Sequence, residues 1–173
     1  MEQRFVADAM LGSVARKLRI FGFDTAYFTE GKDSDLEAMA RREGRVILTS
    51  DEGLFAHSQR LGLRAVLVEG RTDTARLLSI QSRVGSVAMR PGGPSRCAVC
   101  NGELVAVPRR EAAAEVPQKV LTRHRLFLRC RSCSRLYWWG RHWQRLRRLS
   151  RSLRTKDLTR RRPSGPISRR RAS

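Results

Sequence analysis

The sequence predicts an α/β fold: a small parallel sheet flanked by helices, followed by a four-cysteine module and a basic tail. Three observations carry this expectation. Short apolar runs alternate with helical periodicity over the first ninety residues, the signature of successive βα units. Two of the runs, Arg4 to Ala7 and Val46 to Ser50, each lead straight into an aspartate, Asp8 and Asp51. Two Cys-x-x-Cys pairs, Cys97/Cys100 and Cys130/Cys133, follow with 29 residues between them.

Arg4 to Ala7 reads as the first strand. The next segment places Leu11, Val14, Ala15 and Leu18 at i, i+3, i+4 and i+7, a helix with Gly22 just beyond its end. Thr25 to Phe28 is the second strand. A helix then opens near Ser34, turns Leu36, Met39 and Ala40 to the core and stops at Gly44. Val46 to Thr49 has the continuous, largely β-branched character of a strand buried on both faces. Glu52 to Leu61 is expected to be helical, Ala65 to Val68 a strand and Thr74 to Val84 a closing helix. Pro91, Gly92, Gly93 and Pro94 exclude regular structure and mark a linker. From Cys97 to about Trp143 the chain has strand-like pieces and little apolar content, so this part is expected to need a staple more than a core. A helix is expected to run on through Leu146 and Leu149, whereas Thr155 to Ser173 is Arg, Ser and Pro and reads as disordered. The expected organisation is a sheet domain over 1–90, a linker at 91–95, a cysteine module over 96–143 and a basic helix and tail over 144–173.

The chain has 173 residues, with 36 Lys and Arg against 16 Asp and Glu. The excess is uneven: 14 against 12 over residues 1–90, 9 against 3 over 91–140 and 13 against 1 over 141–173. Clustered arginine of this kind is the footprint of a phosphate-bearing partner, whose counterions are released on binding. No stretch approaches the roughly 20 apolar residues of a membrane span, and the start does not read as a leader peptide. A cytoplasmic location is therefore expected, where four cysteines serve as metal ligands more readily than as disulfides.

If the first and third strands are parallel neighbours, Asp8 and Asp51 emerge at one edge of the sheet, where α/β proteins place their chemistry. Asp33 stands between them in sequence at the start of a helix, with Asp35 two residues on; helix capping is the plain reading of both. Unit charges about 4 Å apart repel by roughly 4 kcal/mol at an effective dielectric near 20, so a carboxylate cluster calls for a cation. Mg²⁺ or Mn²⁺ suits carboxylate and water oxygens and activates water for attack on phosphorus. On the helix after Asp8, Gly12, Arg16 and Arg19 share one flank, and two arginines there offer bidentate phosphate contacts. Ser13 in its first turn is a further candidate substrate contact, whereas Lys17 reads as part of a solvated face.

Each Cys-x-x-Cys closes a tight turn, and two such turns supply tetrahedral sulfur ligation for a structural Zn²⁺ with no open position for catalysis. Downstream, Tyr137, Trp138, Trp139 and Trp143 lie among arginines. Such rings stack bases in single-strand binders or cover a small module. His57, His124 and His142 receive no ligand role. The arginines from Arg145 to Arg171 are expected to grip RNA phosphates without reading sequence.

The order Asp8, Asp33, Thr49-Ser50-Asp51 resembles the PIN-like nuclease superfamily. There an aspartate ends the first strand, an acidic residue opens a helix and a Thr-x-Asp ends a later strand. More narrowly, Ala7-Asp8-Ala9-Met10-Leu11-Gly12, Leu18-Arg19, Gly22-Phe23-Asp24-Thr25 and Gly44-Arg45-Val46-Ile47-Leu48-Thr49-Ser50-Asp51 resemble the mut-seven C-terminal RNase domain family. The resemblance covers about residues 4 to 143 and implies a PIN-like domain with a C-terminal zinc ribbon. It further implies that Asp8, Asp33 and Asp51 hold the catalytic metal of an RNA-cleaving site, with Asp35 a second-rank ligand. The chain departs from the pattern at Lys17, where an aromatic residue is expected, and at Arg141, where a smaller polar one is. Asp73 is a candidate fourth acid, with capping of the following helix as its plainer role. The expected function is a metal-dependent endoribonuclease; whether tRNA, rRNA or mRNA is cut is left open. Two rivals stand beside it. One is a non-catalytic RNA-binding adaptor with a degenerate acidic pocket. The other is a phosphatase-type or receiver-type domain, disfavoured because no Asp-x-Asp ends the first strand and no lysine follows the last.

Overall fold

The computed structural model describes residues 3–84, 95–140, 144 and 148–150. Residues 91–94 of the expected linker and 151–173 of the expected tail lie outside the described residues, as do Arg141 and Trp143.

The first domain is built as the βα alternation predicts. Its elements are β1 (Phe5–Ala7), α1 (Gly12–Ile20), β2 (Thr25–Tyr27), α2 (Asp33–Glu43), β3 (Val46–Thr49), α3 (Glu52–Arg60), β4 (Ala65–Leu67) and α4 (Asp73–Val84). A single 3₁₀ turn, Ala9–Leu11, links β1 to α1. All four strands are parallel, in the order β2-β1-β3-β4. Strand alternation divides the core in two. Phe5, Ala7, Val46 and Leu48 face Val14, Leu18, Leu77 and Ile80 of α1 and α4, while Val6 and Ile47 face Leu36, Ala40 and Leu54 of α2 and α3. Both faces are covered, which is why β1 and β3 read as unbroken apolar runs. The chain leaves β1 in one direction for β2 and returns on the other side for β3. The crevice between β1 and β3 is therefore the topological switch point, where doubly wound sheets bind their ligands. Helix ends fall where the glycines foretell: Gly44 ends α2 in the left-handed region at φ 63°, and Gly22 (φ 99°) follows α1. On the outer helical face, the buried Glu37 carboxylate accepts from Ser58 Oγ at 2.7 Å and contacts His57 Nδ1 at 2.9 Å, tying α2 to α3.

The second unit is an antiparallel sheet of β5 (Leu104–Val107), β6 (Phe127–Cys130) and β7 (Leu136–Trp138), in that order. Between β5 and β6 lie two short helices absent from the sequence reading, α5 (Arg109–Ala112) and α6 (Gln118–Arg123). Each starts directly after a proline, Pro108 and Pro117. They bring Ala112, Val116, Leu121 and Phe127 into a small core, so the module has more apolar packing than its composition suggests. Among the described residues no helix is long and apolar enough to cross a membrane.

The two units meet at the amino edge of the parallel sheet. Arg45, which precedes β3, is buried there; it donates to Phe5 O at 3.0 Å, Asp24 Oδ1 at 2.7 Å and Glu43 Oε2 at 2.7 Å. Asp24 also receives Arg4 Nε at 3.1 Å and Asn101 Nδ2 at 2.8 Å. Burial acts to raise Asp24, but hydrogen bonds from Arg45, Asn101 and Arg4 outweigh it and hold this carboxyl at about 2. An unfolded aspartate titrates near ~3.9. The depressed folded value therefore contributes stability that is complete above that pH and is lost as pH falls toward 2. The contribution is roughly 2 kcal/mol. Urea unfolding of wild type and Asp24→Asn across pH 5 to 2 is expected to show a steeper acid loss in wild type, with the gap between them closing at the acid end.

Candidate functional site

At the carboxyl edge, the structure brings Asp8 and Asp51 together through one hydroxyl. Asp8 directly follows β1 and is buried; its Oδ1 accepts the Met10 amide at 2.9 Å, and its Oδ2 accepts from Thr49 Oγ1. Thr49, the last residue of β3 and fully buried, accepts the Asp51 amide on the same Oγ1 at 2.9 Å. Asp51 caps α3, accepting the Leu54 amide at 2.9 Å, and is otherwise exposed. Thr49 thus fixes the relative position of two acids on neighbouring strands. It was not singled out as a site residue from sequence, although the Thr-x-Asp spacing carried the signal.

The remaining candidates divide. Asp33 opens α2 at the same edge and is exposed; among the described residues no hydrogen bond joins it to Asp8 or Asp51. Asp35 closes the first turn of α2, its Oδ2 accepting the Lys32 amide at 2.9 Å, which is the capping role of its plain reading. Gly12 begins α1 beneath the Tyr27 ring, whose hydroxyl donates to Ala9 O at 2.9 Å; a Cβ on Gly12 would lie 2.6 Å from that hydroxyl oxygen. Tyr27 and the exposed Met10 form a rim beside Asp8 that the sequence reading passed over. Ser13 and Lys17 both donate to Asp73, at 2.6 and 2.5 Å. The cap expected of Asp73 belongs to Thr72, whose Oγ1 accepts the Ala75 amide at 3.2 Å. Lys17, read as solvated, is an α1–α4 tie. Arg16 remains exposed.

Arg19 is placed differently from its expected substrate role. It is buried at the opposite end of α1 and donates to Thr25 O at 2.8 Å and to Ala98 O and Val99 O at 3.1 and 2.8 Å. Those carbonyls belong to the first cysteine turn. The helix flank shared with Gly12 and Arg16 is real, but nearly two turns separate its ends.

The four cysteines converge as predicted, with all four sulfurs within 4.8 Å of one another. Cys97 Sγ lies 3.6 Å from Cys133 Sγ, and Cys100 Sγ 3.4 Å from Cys130 Sγ, close to the edge of a tetrahedron with Zn–S bonds of about 2.3 Å. The two turns are alike. Cys100 N points at Cys97 Sγ and Cys133 N at Cys130 Sγ, both at 3.5 Å. The residue after each turn, Asn101 (φ 68°) and Ser134 (φ 58°), takes the left-handed conformation. Gly102 admits no side chain, since a Cβ would sit 2.9 Å from Cys130 Sγ. Tyr137 Oη contacts Cys97 Sγ at 3.0 Å. Burial raises Cys97, but the Cys100 amide and the Tyr137 hydroxyl bring it down to about 6; burial, with the neighbouring thiols, pushes Cys100 up to about 12. Four thiols held this closely ionise together only with a cation among them, so the donor set fits Zn²⁺. Burial lowers the Arg19 guanidinium, while Cys97 and Cys100 act to raise it, so the arginine also supplies positive charge beside the sulfurs.

A doubly wound α/β domain with an acidic carboxyl edge, clasped at its amino edge by a four-cysteine module, defines a two-part α/β protein. The chain belongs to the Mut7-C RNAse domain family, whose model matches residues 3–150. Membership points to a nuclease or RNA-related function and to RNA as substrate. No curated protein and no solved structure matches the chain.

Proposed function

We propose that the chain is a metal-dependent endoribonuclease that hydrolyses RNA phosphodiester bonds, with Asp8, Asp33 and Asp51 as ligands of Mg²⁺ or Mn²⁺. The observation that carries this reading is the Thr49-linked pair of aspartates at the β1/β3 switch point. A buried carboxylate such as Asp8 is costly without a compensating charge, and no lysine or arginine of the described residues pairs with it. The hydroxyl of Thr49 and the Met10 amide orient Asp8, and the start of α3 orients Asp51, so both acids are aimed before any ligand arrives. Asp33, exposed at the head of α2, is the proposed third ligand. A divalent ion held there would supply Lewis acidity and a water of lowered pKa. Arg16 is the proposed phosphate contact on α1. The ribbon lies at the other edge and acts structurally.

The test is cleavage of several single-stranded RNAs in Mn²⁺. Removing a group that merely hydrogen-bonds a metal ligand costs up to roughly 100-fold, so Asp8→Asn is expected to lower the rate by at least about 100-fold. Thr49→Val, which leaves every carboxylate in place, is expected to cost roughly 10- to 100-fold. Equal cleavage by wild type and Asp8→Asn, or none by wild type on any RNA, would point to the adaptor instead.

A further inference from the structure

Away from both metal sites, the ribbon carries a groove of about 340 Å³ between α6 and the end of β7, lined by Lys119, Arg123, His124, Trp138, Trp139 and Gly140 among others. That volume falls at the small end of ligand pockets, roughly 300–1,000 Å³. Its composition follows from the strand. Side chains alternate along β7; Tyr137 turns to the sulfur of Cys97, and Trp138 turns the other way, to the groove, where it is 40% exposed. Gly140 sits against it, and a Cβ there would approach Trp138 Nε1 to 3.3 Å, so the glycine leaves the indole uncrowded.

The cations come from the facing helix. Lys119 and Arg123 are i and i+4 on α6, hence on one face, and both are exposed. Among the described residues no ion pair neutralises them: Glu115 pairs with Arg129 at 2.6 Å and Glu103 with Arg131 at 3.5 Å, and Glu111 pairs with neither Lys119 nor Arg123. An uncompensated pair of cations beside an accessible indole matches an anionic polymer with flat rings, which is single-stranded RNA.

We propose that this groove is an RNA-binding subsite in which Trp138 stacks on one unpaired base while Lys119 and Arg123 hold the adjoining phosphates. It rests on the reading of RNA as the substrate and adds where, outside the acidic edge, the strand is held. With the groove on the ribbon and the aspartates at the far edge of the sheet domain, the base held here lies away from the bond that is cut.

The experiment titrates the full-length, zinc-loaded chain with tetra-adenylate in the absence of Mg²⁺ and Mn²⁺, following tryptophan quenching and the anisotropy of a labelled copy. Trp138→Ala is expected to weaken binding roughly 5- to 100-fold, and Trp138→Phe to restore most of it, since the ring remains. Lys119→Glu with Arg123→Glu is expected to weaken binding further at low salt and to reduce the salt slope by about 1.4, at roughly 0.7 per single-strand phosphate contact. Affinity unchanged in Trp138→Ala, at wild-type zinc content, would overturn the proposal and leave the groove to an acidic protein segment. Cleavage in Mn²⁺, run in parallel, separates the two readings. A wild type that binds through Trp138 but cuts nothing removes the nuclease and keeps the subsite; one that cuts normally but ignores Trp138 does the reverse.

Discussion

Cys130→Ser is expected to leave the chain without its metal and with its ribbon unfolded. Cys130 ends β6, is buried, and takes amide contacts from Ser132 and Cys133 at 3.4 and 3.5 Å. The module it belongs to packs four buried apolar residues, far too few to offset the entropy of ordering some forty residues at about 1.5 kcal/mol each. Structural zinc in comparable small modules contributes about 10–16 kcal/mol of apparent binding energy, and that energy is folding energy. Metal analysis is expected to find one zinc per wild-type chain and none in the variant. Hydrogen exchange is expected to lose protection over 104–107 and 127–130. The loss is expected to spread: Arg19 depends on the Ala98 and Val99 carbonyls, so α1 should open more readily too. Full protection of β5 and β6 in the metal-free variant would show that packing alone suffices.

Arg45→Met is expected to destabilise the sheet domain by about 3 kcal/mol, the lower end of the cost of breaking a buried ion pair. The lower end applies because Asp24 keeps Arg4 and Asn101 when Arg45 is gone. What is lost is a planar fork that holds Asp24, Glu43 and the Phe5 carbonyl at once, linking the starts of β1, β2 and β3. At about 2–4 °C per kcal/mol for a chain of this size, the melting midpoint should fall by roughly 6–12 °C. Arg45→Lys is expected to recover only part of it, because an ammonium cannot reproduce the fork. A midpoint unchanged in Arg45→Met would mean that the charges at this edge are compensated without it.

The parallel sheet was legible because its signals are local. Val46–Thr49 announces a strand buried on both faces, Gly22 and Gly44 mark helix ends, and the cysteine spacing states its geometry outright. Asp8 and Asp51 are legible as a pair for the same reason, Asp8 directly following β1 and Asp51 standing two residues beyond β3. What was not legible depends on distant partners. Arg19 looked like one more cation on a helix flank, and only the cysteine turn some eighty positions on explains its burial. Asp73 looked like a cap, and Ser13 and Lys17 on another helix claim it. The helices α5 and α6 span four and six residues, too few for a 3.6-residue period to register. Thr49 reads as a letter in a motif, and only the fold makes it the hydroxyl that joins the Asp8 carboxylate to the Asp51 backbone amide.

Asn101 and Arg19 have one more consequence. Thr25 opens β2, the outer strand, and its backbone amide and carbonyl both point outward; Asn101 Oδ1 takes the amide at 3.1 Å and Arg19 Nε the carbonyl at 2.8 Å. The ribbon therefore blunts an edge that would otherwise invite a strand from another molecule. Stripped of zinc, the chain is expected to lose the Asn101 half of that guard, and self-association along β2 is the failure expected to follow.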